Sequence, residues 1–257
     1  MGTALITGAS SGIGFELAKL FAKDKHNLIL IARRKDRLQQ LAKELSDKYN
    51  IRVIEIAKDL SNPISAQEIY DTLKQKNIVV DYLVNNAGFI VYGAFSSTDW
   101  TEEQKMIQLN MITLTHLIKL FLPEMLKQKY GKILNVGSTG SFVPGPYNAV
   151  YCATKNYVLS LSEAIAEELQ GTGVTVTALC PGGTRTEFAD KADIKDTWVH
   201  TFGVMEAIKV AEVGYKALMK GKRSVIPGMF NKMQIFSSRF TPRILVTKIS
   251  KYMMKKK

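Results

Sequence analysis

Tyr151 and Lys155 stand four residues apart, so on a helix the phenol and the ammonium share one face. That spacing is common by itself. Here it lies downstream of a hydroxyl, Ser138, which closes the β-like run Lys132–Gly137. Near the start, residues 7–14 read Thr-Gly-Ala-Ser-Ser-Gly-Ile-Gly, a turn dense in glycine. A phenol beside an ammonium, a fixed hydroxyl and a phosphate cradle are together the parts of a hydride-transfer site.

The glycine-rich turn follows the first expected strand and opens a helix. Gly8, Gly12 and Gly14 let backbone approach a pyrophosphate, and a helix N-terminus offers N–H donors and a positive dipole end. The spacing is Gly-x-x-x-Gly-x-Gly, not the Gly-x-Gly-x-x-Gly of many dinucleotide sites. The second expected strand ends in Arg33 and Arg34, where sheets that prefer NAD carry an acid for the ribose 2′-hydroxyl. A carboxylate repels a 2′-phosphate and a guanidinium can grip one with two hydrogen bonds, so NADP(H) is expected over NAD(H). The alternative is that these arginines open the next helix and face solvent. Asp59 ends the third strand, either to bind an adenine amino group or to cap the segment after it.

These parts need a frame. Apolar runs at Thr3–Thr7, Leu28–Ala32, Arg52–Ala57, Tyr82–Asn85, Lys132–Gly137, Val174–Leu179 and Ser224–Ile226 read as strands. Helical spacing fills Arg34–Tyr49, Pro63–Lys76, Asp99–Leu126, Tyr151–Leu169 and Glu206–Met219. Near-continuous apolar strands alternating with helices predict an α/β, doubly wound, parallel sheet covered on both faces, in a single domain. The 257 residues, 46% hydrophobic, suffice for one such core. The least regular internal stretch, Gly183–Gly203, follows a strand end and reads as a substrate lid or an ordinary surface loop. The chain runs straight into a strand, so a signal peptide is not expected. No apolar run reaches the ~18 residues of a membrane span. Two cysteines, Cys152 and Cys180, fit a reducing, cytoplasmic compartment. His26, His116 and His200 show no ligand pattern, so no metal is expected.

In combination these motifs resemble the short-chain dehydrogenase/reductase family. The resemblance runs from Thr3 to about Gly228 and rests on residues 7–14, Asp59–Leu60, Asn85-Asn86-Ala87-Gly88, Asn110, Ser138, the Tyr151/Lys155 pair and residues 181–186, Pro-Gly-Gly-Thr-Arg-Thr. It implies a seven-stranded parallel sheet and a nicotinamide cofactor. It casts Tyr151 as the acid/base, Lys155 as its modulator and a ligand of the nicotinamide ribose, Ser138 as a hydrogen-bond partner of the reacting oxygen, and Asn110 as the holder of a water that links Lys155 to solvent. A phenol's ordinary pKa, ~10, is high for base work at neutral pH, and a nearby ammonium lowers it. The cofactor set implied is Gly8, Ser10, Ser11, Gly12, Ile13, Gly14, Arg33, Arg34, Asp59, Leu60, Asn86, Ala87, Gly88, Tyr151, Lys155, Pro181, Gly182, Thr184 and Thr186. Two departures stand out. Ser11 sits in the turn where many NADP-dependent relatives carry a basic residue, which rests the phosphate preference on Arg33, with Ser10 and Arg34. Ser141 replaces a frequent glycine, which is expected to alter the pocket wall.

Pocket candidates around the catalytic set are Phe89, Ile90, Tyr92, Phe95, Phe142, Val143, Pro144, Tyr147 and Phe188, with Ser138, Phe142, Tyr147 and Tyr151 as the expected substrate contacts. Their apolar character favours a hydrophobic ketone, alcohol or 3-oxoacyl substrate over a sugar. A non-catalytic NADP(H)-binding sensor on the same fold is the rival class. The resemblance further implies a homodimer or homotetramer. The expected division is a cofactor-binding domain over 1–228 and an extension over 229–257. That extension carries eight of the 35 basic residues and none of the 23 acids, although the whole chain has a net charge of +12. From Ile244 its apolar residues share a helical face, which suits either an anionic membrane surface or packing on the body. No nucleic-acid motif accompanies the charge, so nucleic acid is not an expected partner.

Overall fold

Unbroken apolar runs become strands because both faces of a parallel sheet are covered, leaving no position for a solvated side chain. A computed structural model describes residues 2–191, 194, 196–198 and 203–255. Its main sheet contains β1 (Thr3–Thr7), β2 (Asn27–Ala32), β3 (Val53–Ala57), β4 (Tyr82–Asn85), β5 (Gly131–Val136), β6 (Val174–Leu179) and β9 (Ser224–Val225). The order is β3-β2-β1-β4-β5-β6-β9, and every pair is parallel. The chain leaves β1 to one side and returns to β4 on the other, so a crevice opens at the carboxyl ends of these two strands.

Side chains alternate between two cores. Ala4, Ile6, Leu28, Leu30, Tyr82, Val84 and Leu134 face α1 (Gly12–Lys23), α2 (Lys35–Tyr49) and α8 (Ala207–Met219), which contribute Leu17, Phe21, Leu38, Leu41, Val210 and Leu218. Leu5, Ile29, Ile31, Leu83 and Ile133 face α3 (Ser65–Gln75), α5 (Leu114–Gln128) and α6 (Ala149–Glu168). One helix layer thereby covers each face of the sheet, three layers in all, and the crevice lies at the strand ends between the helix layers.

The long expected helix over 99–126 is divided. α4 (Trp100–Ile107) runs into a π turn over Gln108–Thr113 and then into α5. Trp100–Gln128 is long and apolar enough to cross a membrane, with mean hydropathy 1.2 over an 18-residue window. Here Leu117, Ile118, Phe121 and Met125 pack into the core beneath the sheet.

Between residues 183 and 203 the described part is ordered locally. β7 (Thr184–Arg185) pairs with β8 (Met205–Glu206), and α7 spans Glu187–Lys191. Beyond the sheet, α9 (Met229–Ser238) and α10 (Arg243–Met253) fold back over the crevice. Met254 is buried, and its carbonyl accepts a hydrogen bond from the Tyr92 hydroxyl at 2.6 Å. Lys256 and Lys257 lie outside the described residues.

Candidate active site

Ser138 follows β5 and caps a short 3-10 turn, Thr139–Ser141. Its Oγ accepts from the Gly140 N–H at 3.0 Å, and Ser141 Oγ accepts from the Ser138 N–H at 3.1 Å. Ser141 Oγ also donates to the Lys155 carbonyl at 2.7 Å. Ser141 is therefore buried against α6 and is no part of the pocket wall: its hydroxyl ties Ser138 to the helix that carries Tyr151. This corrects the expectation of an altered wall.

Tyr151 and Lys155 share the inner face of α6, both nearly sealed from solvent. Lys155 Nζ donates to the Val136 carbonyl at 2.8 Å and lies 5.8 Å from the centre of the Tyr151 ring. Burial pushes the Tyr151 phenol far above its ordinary value, and the Ser138 hydroxyl pulls it only partly back. Burial pushes the Lys155 ammonium down to about 8. The expectation of a lowered phenol pKa is thus corrected, because desolvation dominates.

Asn110 sits in the π turn, where the extra residue in the helical turn carries its side chain inward. Its amide nitrogen donates to the Phe89 carbonyl at 3.1 Å and to Thr154 Oγ1 at 3.2 Å, and its carbonyl accepts from the Phe89 N–H at 3.3 Å. A Cβ on Gly88 would lie 3.0 Å from Asn110 Oδ1 and 3.4 Å from Lys155 Nζ. The missing side chain at Gly88 is what lets these groups approach one another.

One cavity of about 810 Å³ joins this set to the glycine-rich turn. Its polar arm is lined by Gly8, Ser10, Ser11, Gly12, Ile13, Arg33, Arg34, Asp59, Leu60, Asn86, Ala87, Gly88, Pro181, Gly182, Thr184 and Thr186. Gly14 is the exception among the expected cofactor residues. A Cβ there would lie 2.4 Å from Asn86 Nδ2 and 2.6 Å from the Gly8 carbonyl, so Gly14 serves close packing of α1 on the turn. Thr7 joins the two turns of this arm: its Oγ1 donates to the Val84 carbonyl at 3.1 Å and accepts from the N–H groups of Asn86 and Ala87 at 2.9 and 3.0 Å.

The arm fits a dinucleotide on its own terms. Gly8 and Gly12 have φ of +68° and +60°, and a Cβ on Gly8 would meet Asn86 Nδ2 at 2.8 Å. The Ser11 side chain does not cap α1, which leaves the helix N-terminus available to an anion. Arg34 holds Ser10 Oγ through Nε at 3.2 Å and Nη2 at 3.1 Å. A residue that the sequence reading missed, Glu187, reaches across the cleft: its carboxylate pairs with Arg34 at 2.5 Å and with Arg37. A carboxylate on this arginine pair occupies the place suited to a phosphate. Arg33 is exposed at the rim. Burial would raise the Asp59 carboxyl, but hydrogen bonds from Ser61 and the Arg33 charge outweigh it and hold it below the usual range. Asp59 Oδ1 accepts from the Ser61 N–H and Oγ at 2.9 and 2.8 Å, which is the capping role.

The other arm is apolar. Phe89, Ile90, Val143, Phe188 and Ile194 line it, with Ile235, Val246, Ile249, Met253 and Met254 closing it from α9 and α10. Two expected substrate contacts are displaced. Phe142 packs against Leu159, Ala178 and Cys180. Tyr147, at φ +68°, turns its ring toward Tyr92 with centroids 6.2 Å apart. Neither lines the cavity, and nor do Tyr92, Pro144 or Phe95, the last 73% exposed. The lining from the tail was hidden because its inward residues are spread among lysines. Cys152 lies at the cavity wall and Cys180 behind it; both are unpaired and buried, with thiols pushed up to about 12 by burial. Among the described residues no group of three or more His, Cys, Asp or Glu is placed to hold a metal. His200 lies outside them.

A family model for short chain dehydrogenases matches residues 2–197. The chain belongs to the short-chain dehydrogenase family. Oxidoreductase UcpA of Salmonella typhimurium is 35% identical over 189 residues, 73% of this chain and 71% of the relative. Among solved structures, the short-chain dehydrogenase from Sphingobium yanoikuyae in complex with NADPH matches with a TM-score of 0.84 and 32% identity, over 93% of this chain and 94% of that one. The bulky-bulky ketone specific alcohol dehydrogenase from Comamonas testosteroni matches with a TM-score of 0.79 and 29% identity, over 93% and 92%. As a short-chain dehydrogenase the protein is an oxidoreductase, and its seven-stranded doubly wound sheet is the family's frame.

Proposed function

We propose that the protein is an NADP(H)-dependent reductase of bulky, apolar ketones or 3-oxoacyl compounds. The observation that carries this reading is that one cavity brings an arginine- and glycine-rich lining and an apolar lining together with Tyr151. The NADPH bound by one similar structure and the bulky ketone named for another agree with it.

When bound, the nicotinamide supplies or accepts a hydride. The residues of this chain do the rest. Residues 8–13 and the N-terminus of α1 would hold the pyrophosphate, and Ser10, Arg33 and Arg34 would hold the 2′-phosphate in place of the Glu187 carboxylate. Lys155 would hold the nicotinamide ribose. Ser138 donates a hydrogen bond to the substrate oxygen where negative charge develops. Tyr151 donates the proton to that oxygen, and its raised pKa suits an acid: the phenol keeps its proton at neutral pH until the oxygen asks for it. Asn110 fixes the loop at Phe89 and positions a water leading from Lys155 to solvent. We further infer a cytoplasmic setting from the unpaired cysteines, and self-association through helices over 99–127 and 151–170.

The test is NADPH and NADH consumption with a panel of hydrophobic ketones and 3-oxoacyl thioesters. Oxidation of NADPH that disappears in Tyr151→Phe supports the reading. Tight NADPH binding with no turnover across the panel would replace it with the sensor reading.

A further inference from the structure

α9 presents two faces of different kinds. Asn231 and Ile235 are buried and Ser238 half-buried, at helical spacing, on the side toward the cavity. On the opposite side Met229, Met233 and Phe236, followed by Phe240 in the turn after the helix, recur at i, i+4, i+7 and i+11, and are 69%, 65%, 62% and 76% exposed. Such a stripe normally faces a core. In α10, Ile244 and Tyr252 are 73% and 58% exposed, with the Tyr252 ring stacked on Trp198 at 6.1 Å between centroids. Of the 16 large hydrophobic residues exposed among the described residues, nine lie between 229 and 252, a concentration beyond the scattered exposure normal for a surface.

Charge identifies the occupant. Every described lysine and arginine of this segment, from Lys232 to Lys255, is exposed, and the segment has no acid. A second copy meeting this face symmetrically would set the six described positive charges of the segment against six. An anionic lipid surface takes both the apolar stripe and the flanking cations. We propose that the outer face of α9 and α10 docks on the surface of an anionic bilayer, with the stripe among the acyl chains and the lysines and arginines at the headgroups. Because the inner faces of the same two helices close the apolar arm of the cavity, docking lays that arm against the lipid and gives an apolar substrate a route that avoids water.

Flotation of the full-length protein with vesicles tests this, and needs no turnover, so its outcome is separate from that of the reductase reading. Binding is expected to vesicles of phosphatidylserine and phosphatidylcholine at low salt, and to weaken with phosphatidylcholine alone or with added salt. The variant Phe236→Ser/Phe240→Ser is expected to bind at least about tenfold more weakly, with NADPH affinity and thermal midpoint unchanged. Wild-type protein that stays in solution with anionic vesicles, or a variant that binds them equally well, overturns the proposal. Sedimentation of both proteins supplies the remaining arm: a dimer that becomes monomeric in the variant, without vesicle binding by either, would assign the face to a second copy.

Discussion

A phenol sealed from water holds its proton, and an ammonium sealed from water sheds one readily. Tyr151 and Lys155 are such a pair, separated by one helical turn. For the proposed reduction the phenol stays in its working form across the neutral range, so pH dependence passes to Lys155. Lys155 carries its charge below about pH 8 and loses it as pH rises through that value. The expected kcat/KM for reduction is therefore flat below about 8 and falls above it; an alkaline limb that does not move in Lys155→Arg would assign it to another group. Tyr151→Phe is expected to lower kcat by about 10²–10⁴-fold with NADPH affinity nearly unchanged, as loss of a proton donor requires. At the cofactor's far end the contest is between anions. Removing the competing carboxylate in Glu187→Gln is expected to tighten NADPH binding severalfold and leave NADH binding unchanged, read by fluorescence titration. Arg34→Ala is expected to erase most of the NADPH preference. Equal effects on both cofactors would place the arginine away from the 2′-phosphate.

At the scale of elements, close packing of backbone on backbone decides the cofactor turn. Gly14→Ala puts a methyl 2.6 Å from the Gly8 carbonyl, which α1 cannot relieve without moving off the turn. The expected cost is about 1–3 kcal/mol, measured by denaturant unfolding, together with weaker NADPH binding. The strands were legible because burial on both faces leaves an unbroken apolar run: Thr3–Thr7, Tyr82–Asn85 and Val174–Leu179 match their sequence bounds, and β5 begins one residue earlier than its run suggested. The grouping of Ser138, Tyr151 and Lys155 around one cavity was legible because it depends on a strand end and on helix spacing. What escaped notice depends on tertiary geometry. The π turn at Gln108–Thr113 has no local composition of its own. Phe142 ends the 3-10 turn Thr139–Ser141 and Tyr147 is itself left-handed, which a list of aromatic residues does not reveal. α9 lacked a single amphipathic signature because both its sides carry apolar residues, and β7 and β8 are two residues each.

Over the whole molecule, the tail lies across the crevice that the sheet opens, so strand ends, cavity and tail form a stack. The two unpaired thiols are buried within that stack, Cys152 at the cavity wall and Cys180 at the end of β6. With both pushed up to about 12, the thiolate that reacts with alkylating agents is scarce in the folded protein. The molecule therefore contains its own clock. Iodoacetamide labelling at neutral pH counts excursions in which the crevice opens, and NADPH, by holding the closed form, is expected to slow the clock in proportion to its occupancy. A labelling rate that ignores NADPH would mean that Cys152 is reached without any opening of the crevice.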